Sequence, residues 1–518
     1  MRLYLINPCN PLSNMVKTQG NSLNKYAVWK PLGLLVLAGL TPDEWDITII
    51  DENLEVPEYG ELSRPDMVGL TAFTSQAPRA YEIAALFRGW NVPVVMGGIH
   101  ATMCPDEAMQ RVDAVVKGEA ESVWARVLAD CRKGALGTMY EGERLDLANV
   151  PAARHDLLPR GYHFGSIQTS RGCPLACSFC SVTTFNGGKF RRRPIENVIQ
   201  EFRMIKERDI LVVDDNFIGT RKEHIAYAKT LLRAMIAAKL RKRWIAQVTI
   251  NMADDQELLS LAHKAGCIGV FIGFESISAK GLKEVSKKFT IREEASTVKS
   301  VKRLQKHRIS VLGSFILGLD EDTRGSGEHI ARAALAYGID ILNVMILTPL
   351  PGTRLWKTME AEGRLIDGEF PQDWKYFTLT FPVTRYRNLS WAEIIAEREH
   401  CCRTFYSYAT ILRRVVRSIL HRRNAALVLI SNLVFRINAL VLDKKTYAQV
   451  DPSREPTESE RAGTDRMISR SMIEPAPVAD NQEAVSNVIA GRSDYRPAES
   501  PPPVFVAFEK SLHPRETV

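Results

Sequence analysis

Short apolar runs alternate with helix-like segments along the first 140 residues of the chain. The runs are apolar on consecutive positions, which is typical of strands buried on both faces of a parallel sheet. The predicted strands are Leu3–Asn7, Ile47–Asp51, Met67–Thr71, Val92–Met96 and Ala114–Lys117, and the predicted helices between them are Pro31–Leu40, Ala77–Phe87 and Asp106–Gln110. We therefore expect a doubly wound α/β domain over residues 1–140, with ligands bound beyond the carboxyl ends of its strands.

A second series of strands and helices covers residues 165–365, after a linker at 141–164 that contains Pro151 and Pro159. This series has about six strand–helix units. The predicted strands are Ser166–Ser170, Ile210–Val213, Trp244–Ile250, Val270–Gly273, Ser310–Ile316 and Asp340–Leu347. Consecutive units of this kind favour a partial (β/α)6 barrel, in which polar residues at the strand ends form the site.

Helical patterns predominate after residue 365. Trp391–Tyr408 is predicted to be a helix, and 411–442 has an apolar face. The opposite face carries basic residues: Arg413, Arg414 and Arg417. Two interpretations of 411–442 stay open: a buried helical bundle, or a basic amphipathic contact with a membrane surface. We expect a helical extension over 366–447 and a disordered tail over 448–518, where apolar residues are few.

Composition narrows the class of protein. With 518 residues, 45% apolar and 25% charged, the chain is expected to form two or three soluble domains. Nine cysteines without regular pairing, and a start without a secretion signal, favour the cytoplasm. The net charge of +8 is concentrated in 411–445, where eight Lys or Arg face one acid, Asp443. Because the excess is local, we expect no nucleic-acid partner.

Three of the cysteines, Cys173, Cys177 and Cys180, stand at C-x3-C-x2-C spacing. Random placement would give roughly 0.003 such triplets in this chain. Three thiolates bind three irons of a [4Fe–4S] cluster and leave the fourth iron open to another ligand. The alternatives are a zinc site or buried thiols. A zinc site would need a fourth ligand nearby, and neither Cys nor His occurs between Ser181 and Ile210.

This motif, with the aromatic Phe179 before its third cysteine, resembles that of the radical S-adenosylmethionine (SAM) superfamily. The resemblance implies that the open iron binds SAM and that Phe179 shields the cluster or packs by adenine. Gly273-Phe274-Glu275-Ser276 is similar to the family's ribose motif, so Glu275 and Ser276 are expected at the sugar hydroxyls. The resemblance also implies a glycine-spaced strand beside adenine, which contains Gly313 and Gly318. The family's Gly-Gly-Glu motif near the SAM amino group is missing here, so that contact must come from Asp215 or from another group.

The N-terminal domain carries a second resemblance. Gly97-Gly98-Ile99-His100, followed by Gly118-Glu119-Ala120-Glu121, resembles the Rossmann-like cobalamin-binding domain of B12-binding radical SAM proteins. The resemblance implies a cobalamin site that includes Thr71, Gly97, Gly98 and His100. The D-x-H-x-x-G motif is absent, so the lower axial ligand of cobalt stays open, and a fold that has lost its cofactor is the alternative.

The combined resemblance implies a cobalamin-dependent radical SAM methyltransferase. One SAM would supply a methyl group through cobalamin, and a second would generate the radical that activates a carbon without an acidic proton. A small-molecule or lipid-like substrate and an electron donor of the flavodoxin or ferredoxin type are the implied partners. Radical cyclisation or rearrangement without methyl transfer is the alternative. A non-enzymatic iron–sulfur protein is disfavoured, because it would leave the polar strand ends without a role.

Overall fold

The computed structural model describes residues 1–14, 30–158, 161–366 and 368–448, so nearly all of the predicted tail lies outside the described residues. The strands are β1 Arg2–Asn7, β2 Asp46–Asp51, β3 Met67–Thr71, β4 Val94–Gly97, β5 Ala114–Gly118, β6 Met139–Gly142, β7 Gly165–Ile167, β8 Ser170–Arg171, β9 Arg191–Arg192, β10 Asp209–Val212, β11 Arg243–Val248, β12 Cys267–Glu275, β13 Ser310–Leu317 and β14 Ile341–Ile346.

The helices that connect the strands of the two large sheets are α1 Pro11–Asn14, α2 Leu32–Leu40, α3 Ala77–Gly89, α4 Gly98–Met103, α5 Pro105–Met109, α6 Trp124–Arg132, α7 Ser181–Asn186, α8 Ile195–Met204, α9 Lys222–Ala237, α10 Gln256–Lys264, α11 Ala279–Glu284, α12 Glu294–Lys306 and α13 Ser326–Tyr337. The helices that follow the last strand are α14 Arg354–Ala361, α15 Trp391–Phe405, α16 Tyr408–Leu420, α17 Ala425–Ile437 and α18 Asp443–Tyr447, with a π-helical turn at Asn438–Leu442 between α17 and α18.

The first sheet is parallel, in the order β2-β1-β3-β4-β5-β6. Alternate residues of β1 enter different cores, because side chains alternate across a strand. Leu3 and Leu5 pack with α2 and α6 on one face, and Tyr4 and Ile6 pack with α3 on the other. The predicted doubly wound domain is confirmed. Its sixth strand, Met139–Gly142, was not predicted and crosses the expected limit at residue 140.

The second large sheet is also parallel and follows chain order, β7-β10-β11-β12-β13-β14. Its six strands confirm the predicted partial barrel. The prediction of one strand over Ser166–Ser170 is wrong, because β7 ends at Ile167 and β8 pairs separately with β9. Asp214 explains the break: it accepts hydrogen bonds from the Thr169 backbone N–H at 2.6 Å and from Ser170 Oγ at 2.7 Å.

The C-terminal helices cover the open edge of the barrel at β14. Arg398 of α15 donates to the Val344 carbonyl at 3.0 Å, and the Leu342 N–H donates to Tyr406 Oη at 3.0 Å. Arg414 was predicted to lie opposite the apolar face of 411–442, but it is on the buried side of α16 together with Ile411. Its side chain is buried and donates to the Phe405 carbonyl and to Asn432 Oδ1 at 2.9 and 2.7 Å.

One helix of the described residues is long and apolar enough to cross a membrane by length and composition, Ala425–Tyr447. In the most apolar 18-residue stretch of this helix, 44% is buried inside the protein. Core helices of soluble proteins meet the same criteria, so this helix is weak support for a membrane span.

Candidate functional site

One cavity of about 410 Å³ lies where the two large sheets present the carboxyl ends of their strands. The first sheet contributes residues that follow β1, β3 and β4, such as Asn10, Phe73 and Gly98. The barrel contributes the cysteine loop and residues of β11 to β14. Both predicted cofactor regions therefore face the same cavity, as expected for open α/β sheets.

The cysteine loop forms one wall of the cavity. Cys173, Cys177, Cys180 and Phe179 all line it. Gly172 begins the loop at a φ of +91°, and a side chain there would collide with the Lys189 carbonyl. A positive φ and this close approach both require glycine.

Asp215 holds the same loop from the barrel side. It also lines the cavity, and its Oδ2 accepts from the Gly172 N–H at 2.8 Å and from Asn186 Nδ2 at 2.9 Å. Burial raises the pKa of Asp215 to about 7. These contacts support the start of the loop. Oδ1 has no hydrogen-bond partner, so one acceptor atom is available to a ligand.

The three thiols fit an iron–sulfur cluster by their chemistry. Burial raises the pKa of each thiol, that of Cys173 to about 12. Lys287 opposes the shift electrostatically at Cys173 and Cys177, and it lines the same cavity. Among the described residues, no group of three or more His, Cys, Asp or Glu side chains is arranged so that it could hold a metal ion. The loop thus supplies the donor set, and cluster binding would draw the sulfur atoms together.

Glu275 lies at the end of β12 with a φ of +63°. The pairing register of β12 and β13 shifts at this point. Lys287 Nζ contacts Glu275 Oε1 at 2.5 Å and donates to the Gly273 carbonyl at 2.9 Å. Glu275 lines the cavity, and its buried Oε2 has no hydrogen-bond partner. This unused acceptor fits the hydroxyl donors of a ribose.

Ser276 differs from Glu275, because it does not line the cavity. Its Oγ donates to Glu321 Oε1 at 3.0 Å and accepts from the Ser278 N–H at 3.0 Å. These contacts hold the turn before α11, whose N-cap is Ser278, and do not present Ser276 to the cavity.

The glycines of the predicted adenine strand do not line the cavity either. A Cβ on Gly313 would lie 2.6 Å from Ile339 and 3.1 Å from Phe274. Gly318 has a φ of +100° and packs against the Tyr386 ring, 2.8 Å from an added Cβ. Both glycines pack against other side chains, and their place beside adenine stays a prediction. Ile316, between them on the strand, is the residue that lines the cavity.

On the side of the first sheet, Thr71 and Gly98 line the cavity. Gly98 has a φ of +85°, and an added Cβ would lie 2.5 Å from Thr71 Oγ1. Gly97 faces a narrower void of about 30 Å³ that Thr71 and Gly98 also line. The surrounding side chains include Asn7, Asn10, Asn53 and Gln76. Amides and a glycine cradle fit the amide-bearing rim of cobalamin.

His100 is not in a ligand-facing loop, which corrects the prediction. It lies in α4, is completely buried, and is not part of the cavity wall. Its Nε2 lies 3.0 Å from Tyr81 Oη and 3.0 Å from Glu107 Oε1. Trp374 Nε1 donates to the same carboxylate at 2.9 Å. His100 therefore belongs to a network that joins the first domain to the segment after α14.

A buried ionic network joins the two domains directly behind the cysteine loop. Arg171 contacts Glu119 at 2.6 Å and Glu121 at 2.5 Å, and Arg191 contacts Glu119 at 2.8 Å. The three side chains of Arg171, Glu119 and Glu121 are at most 3% exposed. Sequence reasoning noticed the two acids but did not pair them with Arg171. Opposite charges just after two predicted strands were the sequence signal for this pairing.

Comparison with known proteins decides the family. The profile of the B12 binding domain matches residues 23–128, and that of the radical SAM superfamily matches 167–334. The chain is 31% identical to the bacteriochlorophyllide d C-12(1)-methyltransferase of Chlorobaculum tepidum over 383 residues, which is 70% of this chain and 79% of that protein. The chain belongs to the B12-binding radical SAM family. Its cofactors are therefore a [4Fe–4S] cluster, SAM and cobalamin, as predicted.

Two further relatives agree with this membership. The hopanoid C-2 methylase of Rhodopseudomonas palustris is 28% identical over 405 residues, 76% of this chain and 74% of that protein. The solved structure of the cobalamin-dependent SAM radical enzyme OxsB, with aqua-cobalamin and SAM bound, has a TM-score of 0.61 at 16% identity. It covers 94% of this chain and 78% of the OxsB chain. The OxsB match supports the fold alone.

Proposed function

We propose that this B12-binding radical SAM enzyme methylates an unactivated carbon of a lipid-like substrate. The observation that carries the proposal is the shared cavity, which the cysteine loop and the carboxyl edge of the first sheet both line. A substrate held there would face both cofactors without leaving the site. The relatives support this assignment, since they are named as methylases of a hopanoid and of a bacteriochlorophyllide.

Each wall of the cavity has a proposed task. The cluster is held by Cys173, Cys177 and Cys180. Glu275 accepts hydrogen bonds from the ribose of SAM, and Lys287 fixes the position of the Glu275 carboxylate. Phe179 shields the cluster, and Thr71 with Gly98 supports the cobalamin side. The cofactors supply an electron, a 5′-deoxyadenosyl radical and a methyl group. The protein binds the reactants, orients them and excludes water from the radical.

The proposed domains divide these tasks: 1–140 holds cobalamin, 165–365 holds the cluster and SAM, and 366–447 closes the site. Part of the closing segment supports this division, because Phe377, Thr378, Leu379 and Thr380 line the cavity. Closure by these residues would protect a carbon radical from solvent, which is necessary for its productive capture.

The test uses anaerobically reconstituted protein with methyl-labelled SAM, a reductant and a neutral lipid extract. We expect both S-adenosylhomocysteine and 5′-deoxyadenosine, together with a labelled lipid. Omission of cobalamin should abolish the labelled lipid. Deoxyadenosine with a modified but unlabelled lipid would contradict methyl transfer and favour radical cyclisation or rearrangement instead.

An electron donor of the flavodoxin or ferredoxin type is part of the proposal. Arg354 is exposed and donates a hydrogen bond to the Ala176 carbonyl of the cysteine loop. Lys357, also exposed, lies one turn further along α14. Two exposed cations beside the cluster loop favour an acidic docking partner. Arg354→Glu should slow reduction by flavodoxin but leave reduction by dithionite unchanged.

We also propose a cytoplasmic location with peripheral membrane contact through 411–442. The apolar face of α16 supports this contact. Its exposed ridge consists of Tyr408, Leu412, Val416, Ile419 and Leu420. Leu412 and Leu420 are 63% and 75% exposed, and the exposed Arg413 and Arg417 lie beside the ridge. An apolar ridge flanked by cations matches the surface of an anionic bilayer.

Vesicle flotation tests the contact. Wild-type protein should float with anionic vesicles and bind neutral vesicles more weakly, because both the ridge and its cations contribute. Leu412→Glu combined with Leu420→Glu should remove most of the binding. Equal flotation of this double variant and the wild type would contradict the proposed membrane surface.

A further inference from the structure

The cavity continues past the cofactor walls to the C-terminal helices, in a part that we call the C-terminal arm. Two helical rows with spacings of four residues line this arm: Arg398, Cys402 and Tyr406 on one side, and Phe435, Ala439 and Asp443 on the other. Strand β14 forms its base through residues that include Leu342 and Val344. Residues four apart lie on one helix face, so both rows are directed at the same space.

The charged groups in these rows neutralise each other. Arg398 Nη2 donates to Asp443 Oδ2 at 2.9 Å, and both side chains are at least nine-tenths buried. The other two nitrogens of Arg398 also have partners: Nη1 binds Tyr447 Oη at 2.9 Å and Nε binds the Val344 carbonyl at 3.0 Å. A substrate carboxylate in the arm would add a buried negative charge beside a cation that Asp443 already neutralises, which is unfavourable. The arm therefore suits an uncharged ligand.

Asn438 adds a specific polar contact. It lines the arm within the π-helical turn, and it is 7% exposed. Its Nδ2 donates to the Val434 carbonyl at 2.9 Å, which identifies the other amide atom as the oxygen. This Oδ1 is buried without a hydrogen-bond partner. A buried acceptor without a partner is costly, and π turns occur frequently at functional sites.

Resting on the proposed function, we propose that the C-terminal arm binds the apolar body of an uncharged substrate and that Asn438 Oδ1 accepts a hydrogen bond from its hydroxyl group. The Arg398–Asp443 ion pair carries no net charge and therefore disfavours acidic substrates. The Asn438 amide oxygen, which has no partner in the protein, selects a ligand that carries a hydrogen-bond donor. Asn438 is thus a specificity-determining residue, separated along the chain from the cofactor motifs. The substrate class is a neutral lipid alcohol.

Three ligands with the same retinoid polyene test this proposal through quenching of the protein's tryptophan fluorescence: retinol, retinyl methyl ether and retinoate. Each is titrated into the reconstituted full-length protein at pH 8, where the retinoate is ionised. We expect retinol to bind about tenfold more tightly than the ether, which lacks the donor, and at least tenfold more tightly than retinoate. Retinoate binding as tightly as retinol, or no saturable retinol binding, would overturn the proposal.

Two variants and one control locate the binding. Asn438→Leu should reduce the preference for retinol over the ether to about twofold or less. Ala439→Trp fills the arm and should abolish binding, whereas Val441→Trp, on the exposed side of the same π turn, should bind as the wild type does. Equal binding by the two tryptophan variants, or an unchanged preference in Asn438→Leu, would refute the assignment.

The proposed methyl transfer is measured separately in the same preparations. Formation of S-adenosylhomocysteine and 5′-deoxyadenosine reports the cofactor chemistry, and the retinoid titrations report the arm. Loss of ligand selectivity with both products intact would refute only the arm. Absence of cobalamin-dependent S-adenosylhomocysteine with the selectivity intact would refute only methyl transfer.

Discussion

The ionic network behind the cysteine loop provides a sharp test of how the two domains are joined. Arg171→Met removes the buried cation that contacts Glu121 at 2.5 Å and Glu119 at 2.6 Å. In this variant Glu119 retains its ion pair with Arg191 and its hydrogen bond from the Leu145 N–H at 2.7 Å. Glu121, by contrast, loses its ion pair with Arg171. Breaking a buried pair in this way costs about 3–5 kcal/mol.

A double-mutant cycle separates this contact from the rest of the network. Arg171→Met and Glu121→Leu should each lower the stability of the first unfolding transition in urea, followed by far-ultraviolet circular dichroism. Together they should cost less than their sum by about 2 kcal/mol, since the second substitution removes the carboxylate that the first leaves without its cation.

An exposed pair within the first domain serves as the control. Arg2 and Asp46 lie 3.4 Å apart with side chains 38% and 72% exposed. The cycle of Arg2→Met with Asp46→Leu should give a coupling below about 0.5 kcal/mol. If the Arg171 cycle is additive to within the same limit, the network does not couple the domains and the reasoning fails.

Three further predictions concern the loop, the cobalamin side and the barrel. Cys177→Ser should lose the iron content and the visible absorbance of the cluster, while Cys131→Ser, on α6 of the first domain, should keep both. Gly98→Ala should weaken cobalamin binding at least tenfold in an absorbance titration, because its Cβ would meet Thr71 Oγ1, whereas Gly60→Ala, with no atom within 4 Å of an added Cβ, should not. Burial raises the pKa of Asp322 to about 6 from 3.8, so deprotonation is harder in the folded state, and wild-type stability should fall relative to Asp322→Asn as the pH rises from 4 to 6. A wild-type profile that rises relative to the variant over that range would contradict this sign.

Sequence patterns predicted both sheets because their strands are apolar on consecutive positions and therefore have few alternatives to a buried parallel sheet. They missed β6, Met139–Gly142, whose residues alternate between buried and more exposed. They also merged β7 with β8, since the buried Asp214 that separates them is over 40 residues away in the chain. Local pattern cannot show such long-range hydrogen bonds.

The site was predictable where strand topology determines it. Residues at strand ends, such as Thr71 and Glu275, line the cavity because parallel strands bring their carboxyl ends to one edge. His100 was misplaced in a loop, and Gly313 and Gly318 lie outside the cavity wall, because a motif does not show whether a residue faces a ligand or a packed side chain. Lys287 and Asn438 were missed, since their role depends on tertiary contacts with Glu275 and with the cavity.

The central claim is that the cluster and cobalamin face one cavity, and electron paramagnetic resonance tests it without a substrate. The protein is loaded with both cofactors and reduced so that cob(II)alamin and the reduced cluster are present together. We predict that the cob(II)alamin signal is broadened by magnetic interaction with the cluster, and that Cys177→Ser removes this broadening. An identical cob(II)alamin signal with and without the reduced cluster would contradict the shared cavity.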